Sequence, residues 1–373
     1  MEQNVKPFRV LTLDGGGIRG LYTASLLHQL SIRFARFQNN PTESKLDLGS
    51  QFDLIVGTST GAIIAVALAA GIPLEDIIKL YRTKSKDIFQ FSMPLQNGCL
   101  LTVVKTWLWV FRNTLSPANN SMGLQALLTD VLKEETLEQV YQRRNCALCI
   151  PTIDAETQKG WVFKTPHSQR LTRDNHYKLV DVCMASAAAP IYFPLHNIES
   201  PNGSTKVSHK FVDGGLWANN PILIGLVEAL EIAEPSQQIQ ILSVGTGTDA
   251  FSQATSLNSK SLKRGGLKWK MGVDIIDMSI KAQASTTTYY ASKLAEATGR
   301  VTLHRLKDFP VSANESPRLS LDAVDSQSLE LLETMAHRAA DSNFSALTNT
   351  NQSSKEIEMV LNMFSDIKQV KES

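Results

Sequence analysis

The sequence has few cysteines, no long hydrophobic run and almost no net charge. Four cysteines among 373 residues form no disulfide framework. The longest apolar run, residues 100–111, contains Lys105 and is about half the length of a membrane-spanning helix, so we expect no integral membrane topology. The 37 basic and 36 acidic side chains leave a net charge of +1, which argues against a surface adapted to a nucleic acid polymer.

Leader and metal-binding patterns are also missing. The opening MEQNVKPFRV has no cationic leader followed by an apolar stretch, so we expect a cytoplasmic protein. Cys146 and Cys149 form a C-x-x-C pair, but CALCIPTID is typical of a buried strand, and no second pair or His cluster accompanies it. We therefore predict buried free thiols, no metal and no cofactor.

What the sequence does contain is an alternation of apolar strands and amphipathic helices. The segments FRVLTL and QFDLIV are strand-like, and helical patterns follow them at 19–37 and in AIIAVALAAG. Later strand-like segments are CALCIPTI, WVFKT, KFVDG, IQILSVGTG and VTLHRL. This alternation predicts an α/β fold with a central, mostly parallel or mixed sheet and helices on both faces.

No internal repeat and no long linker divides the chain. We predict one domain over residues 1–373, with its core at about 7–250 and a helical C-terminal region at about 272–373. Prolines and glycines make residues 91–122 less regular, so we interpret this stretch as an insertion or lid.

The loop LTLDGGGIRG places Gly15, Gly17 and Gly20 in G-x-G-x-x-G register after a strand. This spacing is typical of dinucleotide-binding loops, but the same backbone donors also stabilise the oxyanion formed when an ester is attacked. Asp14 is unfavourable beside a pyrophosphate, and no acidic residue ends a clear second strand to hold a ribose. These two observations favour the oxyanion.

A candidate nucleophile lies in the G-x-S-x-G pattern formed by Gly57, Ser59 and Gly61. A strand precedes the pattern and an apolar helix follows it, which is the context of a sharp turn that exposes a nucleophilic serine. Small residues are needed there because the chain crowds itself. The alternative is that Ser59 only caps the helix.

Two kinds of base remain open for this serine. Asp213 in KFVDGGLWANNP follows a strand and precedes Gly214, and an aspartate acts as a base only if burial raises its pKa. The simpler interpretation is an Asp-Gly turn. Alternatively, His304 or His337 completes a Ser–His–Asp triad, which would make the protein a carboxylesterase.

Taken together, these motifs resemble the patatin-like phospholipases, lipid acyl hydrolases with a Ser–Asp dyad. The similarity rests on TLDGGGIRG, FDLIVGTSTGAIIA, ASAAAPIYFP and FVDGGLWANNP, and it covers about residues 7–250. Ala62 departs from the family, where another glycine is frequent. The resemblance implies that glycerolipid esters are cleaved through an acyl intermediate on Ser59, with Asp213 as the base.

The resemblance also implies roles for the residues around the dyad. The backbone N–H groups around Gly15, Gly16 and Gly17 are expected to form the oxyanion hole. Arg19 is expected to hold this loop or to favour an anion, while Gly57, Gly61 and Gly214 allow close turns.

Some bacterial members of this family are anti-phage effectors that a cyclic dinucleotide activates to degrade membrane phospholipid. The resemblance to that subgroup leads us to hypothesise such an activator here. A basic patch at 258–272 includes Lys263, Arg264 and Lys268, which suit a nucleotide phosphate or anionic lipid headgroups unless the patch is only a solvated loop.

Membrane contact is the remaining expectation. Trp107 and Trp109 in the apolar run at 100–111 suit peripheral docking on a bilayer, or else they are buried in the lid.

A non-catalytic nucleotide- or lipid-sensing module is the alternative to an enzyme. The sequence does not predict an oligomeric state.

Overall fold

A computed structural model describes most of the chain. The described residues are 6–38, 45–92, 94, 105, 108–109, 111–113, 116–200, 207–247, 273–312, 315–349, 354–365 and 367–370. Trp107, the basic patch at 258–272 and much of the predicted lid lie outside them.

The described strands form one mixed sheet. They are β1 (Phe8–Leu13), β2 (Leu54–Gly57), β3 (Ala147–Asp154), β4 (Lys159–Lys164), β5 (His196–Glu199), β6 (Ser208–Asp213), β7 (Ile239–Val244) and β8 (Val301–Arg305). Their order is β5-β6-β3-β2-β1-β7-β8, and β4 pairs with β3. Strands β8, β7, β1, β2 and β3 are parallel neighbours, whereas β4, β5 and β6 pair antiparallel.

Helices connect these strands or follow the last of them. They are α1 (Gly20–Phe37), α2 (Thr60–Ala70), α3 (Leu74–Ile88), α4 (Met122–Leu132), α5 (Leu137–Arg144), α6 (Leu179–Ser186), α7 (Gly215–Ala218), α8 (Ile222–Ile232), α9 (Val273–Thr298), α10 (Ser326–Thr348) and α11 (Lys355–Phe364). No described helix has the length and apolar character that a membrane crossing requires.

The side chains of β1 alternate between two hydrophobic layers. Leu11 and Leu13 belong to the cluster that contains buried residues of α1, α2 and α10. Val10 points to the other face, where it packs with Ile222 and Leu226 of α8. Because successive strand residues face opposite sides, the sheet is covered by helices on both faces, and the predicted three-layer α/β fold is confirmed.

The C-terminal region adds a strand to this sheet as well as helices to its surface. Strand β8, which corresponds to the predicted strand VTLHRL, pairs in parallel with β7, so the sheet extends beyond residue 250 into the C-terminal region. Helices α10 and α11 pack against α1. The centroid of the Phe34 ring lies 5.0 Å from that of Phe344 and 5.1 Å from that of Phe364.

Candidate active site

The glycine loop and the G-x-S-x-G turn leave the sheet at the same edge. Leu13, the last residue of β1, is paired with Gly57, the last residue of the parallel strand β2. Ser59 stands between β2 and α2 with φ 55° and ψ −120°, a conformation that costs a non-glycine residue about 1–3 kcal/mol. The surrounding fold holds this strained turn, which points Ser59 into a cleft.

Two glycines make the turn possible. A Cβ on Gly57 would overlap the carbonyl oxygen of Gly61. A Cβ on Gly61 would lie 2.6 Å from the Asp14 carbonyl oxygen, closer than atoms can pack. The turn therefore needs glycine at both positions, as the sequence predicts.

Asp213 lies at the end of β6, directly beside Ser59. The Ser59 hydroxyl donates to Asp213 Oδ2 at 2.6 Å, and the Gly215 N–H donates to Oδ1 at 2.6 Å. Burial raises the pKa of Asp213 from its ordinary value of 3.8 to about 6, although both hydrogen bonds act in the opposite direction. A short contact and a raised pKa are what a carboxylate needs to accept a proton from an alcohol.

The segment ASAAAPIYFP holds both members of this pair. The Ser59 N–H donates to Ser186 Oγ at 2.9 Å, and the Ser186 hydroxyl donates to the Pro151 carbonyl at 2.7 Å. The Asp213 N–H donates to the Ala188 carbonyl at 3.0 Å. Sequence reasoning noted this segment but assigned it no role; Ser186 is the residue that connects the turn to the sheet.

Of the three predicted oxyanion donors in the glycine loop, the structure retains two. The Gly15 N–H donates to the Asn219 carbonyl at 2.9 Å, so this donor is already used and Gly15 is not suited to bind an oxyanion. In the described part of the chain, no acceptor takes the N–H of Gly16 or Gly17, and both residues line the cleft with Ser59. Gly17 has φ +57°, which favours glycine.

Buried charges fix the loop from two sides. Arg19 is 6% exposed, and its Nε donates to the Gly16 carbonyl at 3.1 Å, so it holds the turn. Asp14 accepts from both terminal nitrogens of Arg305, at 3.2 and 2.7 Å. Arg305 lies on β8, outside the sequence motifs, and nothing in the local pattern marks it as a partner of Asp14.

Replacing Arg305 by glutamine is expected to destabilise the fold by about 3 kcal/mol, because it leaves the Asp14 carboxylate buried without its bidentate cation. Urea unfolding measures this change. Arg318→Gln removes an ion pair whose side chains are 34% and 43% exposed, so it should cost about 1 kcal/mol or less. Equal costs for the two variants would contradict the role assigned to Arg305.

The cleft beside Ser59 is mostly apolar. It encloses about 900 Å³ of space between atoms, part of which is open to solvent, and Ser59, Asp213, Gly16, Gly17 and Arg19 lie on its wall. The apolar lining consists of Ile63, Ile88, Phe89, Leu124, Ala187, Ala189, Pro190, Phe193, Leu216, Ile276, Ile280 and Leu321. Such a wall suits the hydrocarbon part of a ligand.

The residues that the sequence suggested for contact with a membrane or a phosphate are either buried or outside the described part of the chain. Trp109 is 7% exposed, packs against Tyr192 and donates from Nε1 to the Phe91 carbonyl at 2.9 Å, which corresponds to the buried alternative and not to membrane contact. Trp107, Lys263, Arg264 and Lys268 lie outside the described residues.

His304, the base of the alternative triad, lies on β8, where it is paired with Leu242. Burial lowers its pKa. Among the described residues that line the cleft there is no histidine. The geometry therefore favours Asp213 over His304 as the partner of Ser59.

One cluster of metal-ligand types lies away from the cleft. Ligand atoms of Cys149, His167 and Glu228 lie within 4.8 Å of one another. However, His167 Nε2 is 2.9 Å from one Glu228 oxygen, and the Lys164 ammonium donates to the other. Burial raises the pKa of Cys149 well above its ordinary range. The cluster is thus an ion-pair network beside a protonated thiol.

The chain is similar to known phospholipases. The family model described as "Patatin-like phospholipase" matches residues 11–226. A cGAMP-activated phospholipase from Pseudomonas aeruginosa is 34% identical over 288 residues, covering 76% of this chain and 74% of that protein. One of the same name from Escherichia coli is 34% identical over 274 residues, covering 72% and 70%. The solved structure of human GIVD cytosolic phospholipase A2 has a TM-score of 0.44 at 11% identity, covering 97% of this chain and 62% of that one.

The family model and the relatives identify a hydrolase that cleaves carboxylic esters of lipids. The chain belongs to the patatin-like phospholipase family.

Proposed function

We propose that this protein hydrolyses membrane phospholipids through a Ser59–Asp213 dyad and that a cyclic dinucleotide activates it. The observation that carries the catalytic part is the 2.6 Å hydrogen bond from the Ser59 hydroxyl to a buried carboxylate whose pKa is raised to about 6. At neutral pH this carboxylate is ionised, yet it remains basic enough to accept the proton of an attacking alcohol.

The reaction proceeds in two halves. Ser59 Oγ attacks the ester carbonyl carbon while its proton passes to Asp213 Oδ2. When the tetrahedral intermediate collapses, Asp213 returns that proton to the departing lysophospholipid oxygen, and the acyl group remains on Ser59. Water then attacks the acyl ester and gives its proton to Asp213. Collapse of the second intermediate returns the proton to Ser59 Oγ and releases the fatty acid.

The N–H groups of Gly16 and Gly17 bind the oxyanion in both halves. They lie on the same cleft wall as Ser59, and Arg19 holds their loop by a hydrogen bond to the Gly16 carbonyl. Donors that are already fixed before the charge develops stabilise the transition state more than the ground state.

Peripheral docking on a bilayer is supported by exposed apolar residues beside the cleft. Phe91, Met122 and Leu195 are 45%, 73% and 50% exposed, and each lies two residues from a cleft-lining residue. Ile275 and Met278 of α9 are 48% and 51% exposed near the cleft-lining Ile276. Such a rim inserts into the interfacial region of a membrane and brings lipid to the cleft.

The activator is proposed from the relatives. Two proteins at 34% identity, each aligned over more than two thirds of both chains, are named cGAMP-activated phospholipases. Activation of this kind fits a role in anti-phage defence, in which the enzyme stays inactive until the nucleotide appears.

The test is the release of free fatty acid from phosphatidylethanolamine and phosphatidylglycerol vesicles, with and without a panel of cyclic dinucleotides. We expect release by the wild-type protein to depend on cGAMP and to be absent in Ser59→Ala. Equal release with every nucleotide and with none would contradict the activator. No release by folded wild-type protein under any condition would contradict the phospholipase activity and favour a sensing module.

A further inference from the structure

A second cavity lies next to the catalytic cleft, between helices α2, α3 and α4. It has about 500 Å³ of space between atoms, part of it open to solvent, and every described residue that lines it is apolar except for the Tyr81 hydroxyl. Four side chains, those of Ile63, Tyr81, Ile88 and Leu124, line both this cavity and the cleft. The two spaces therefore share a boundary. We call the second one the side chamber.

Helix α2 leads from the nucleophile into the side chamber. Ser59 precedes its first residue, Ile63 lines both spaces, and Ala67 lines only the chamber. Residues four apart lie on one face of a helix, so Ser59, Ile63 and Ala67 form a row. At about 1.5 Å per residue, Ala67 lies roughly 12 Å from Ser59 along the helix axis.

Among the described residues of the chamber wall, the one polar group, the Tyr81 hydroxyl, has a partner outside the chamber. The Tyr81 hydroxyl is hydrogen-bonded to Thr60 Oγ1, next to the nucleophile, and burial raises the pKa of Tyr81 to about 12. The described part of the wall thus offers a ligand no free polar partner. Apolar walls of this kind favour hydrocarbon groups.

We infer that the side chamber holds the distal part of the acyl chain that is transferred to Ser59, and that it makes the enzyme selective for long-chain esters. The inference rests on the proposed function and specifies its substrate. A butyryl chain, with three C–C bonds of about 1.5 Å each, is too short to reach Ala67. A palmitoyl chain is long enough to pass Ile63 and enter the chamber.

The experiment compares hydrolysis of p-nitrophenyl butyrate and p-nitrophenyl palmitate in one detergent, with cGAMP present. Ala67→Leu fills the chamber near its entrance. Val131→Trp fills it from the partly exposed residue Val131 on α4, where folding tolerates a larger side chain. Ala70→Leu is the matched control, since it makes the same substitution on α2 at a residue that does not line the chamber.

We expect both filling variants to lower the palmitate-to-butyrate ratio of kcat/KM by about tenfold or more, because several methylene groups lose their apolar contacts. The ratio should stay at its wild-type value in Ala70→Leu. If the filling variants fold and keep the wild-type ratio, the side chamber does not hold the acyl chain, and the proposed function remains intact. A wild-type protein that cleaves neither ester would overturn the proposed function and this inference with it.

Discussion

Replacing Ser59 by alanine is expected to reduce fatty acid release by about 10³-fold or more, because the variant has no oxygen to carry the acyl group. The hydroxyl lies 2.6 Å from Asp213 Oδ2 and its residue is 9% exposed, so the substitution removes the reacting atom with little change in packing. The measurement is the initial rate on phospholipid vesicles under the activating condition.

Ser31→Ala is the matched control for this variant. Ser31 is also buried, but its hydroxyl donates to the Leu27 carbonyl within α1 at 2.8 Å. Its release rate should stay within about twofold of wild type. A Ser59→Ala protein that retains a tenth of wild-type turnover would contradict the nucleophile assignment.

Replacing Asp213 by asparagine is expected to have opposite effects on activity and stability. Turnover should fall by about 10³-fold, because an amide does not accept the Ser59 proton. The folded state should become more stable at pH 8 by about 3 kcal/mol, since burial raises the Asp213 pKa from 3.8 to about 6 and each pKa unit corresponds to about 1.4 kcal/mol.

The pH dependence fixes the sign of this effect. A raised pKa means that ionised Asp213 destabilises the fold. This loss in the free energy of unfolding is complete above about pH 6, becomes smaller as the pH falls, and is gone below pH 3.8. The gain from Asp213→Asn should therefore fall to about half at pH 5. Urea unfolding at pH 8 and pH 5 measures this gain in the free energy of unfolding. Because the base must be ionised to accept a proton, kcat/KM of the wild type should rise with pH through about 6.

Asp154→Asn is the control with the opposite sign. Burial alone would raise the pKa of Asp154, but N–H groups of Thr157 and Glu156 hold it below its ordinary value. This carboxylate stabilises the fold, so the substitution should lower stability at pH 8. If Asp213→Asn also lowered stability at pH 8, the account of Asp213 as a destabilised buried base would be wrong.

The strands and the serine turn could be predicted because their signals are local. FRVLTL and FDLIV are mostly apolar and each is followed within two residues by a glycine, and Gly57 and Gly61 flank Ser59 within five consecutive residues. The Cβ that Gly61 excludes would meet the more distant carbonyls of Leu13 and Asp14. The pairing of Ser59 with Asp213, 154 residues apart in the chain, came from the family resemblance, because no single motif contains both residues.

The details that sequence reasoning missed depend on distant partners. The donor of Gly15 is used by the Asn219 carbonyl, and Asp14 is bound by Arg305, 291 residues away. Tryptophan is a residue type that is common at membrane interfaces, but the indole N–H of Trp109 donates to the Phe91 carbonyl and its ring is buried. Tertiary contacts of this kind leave no periodic trace in the sequence.

The most direct test of the central claim is covalent labelling of the nucleophile. A long-chain alkyl fluorophosphonate reacts with an activated serine and leaves a stable adduct that resembles the first tetrahedral intermediate. Peptide mass spectrometry after labelling should place one phosphonyl group on Ser59, with no adduct in Ser59→Ala and slower labelling in Asp213→Asn. An adduct on another residue, or labelling that is equally fast in Asp213→Asn, would contradict the Ser59–Asp213 dyad.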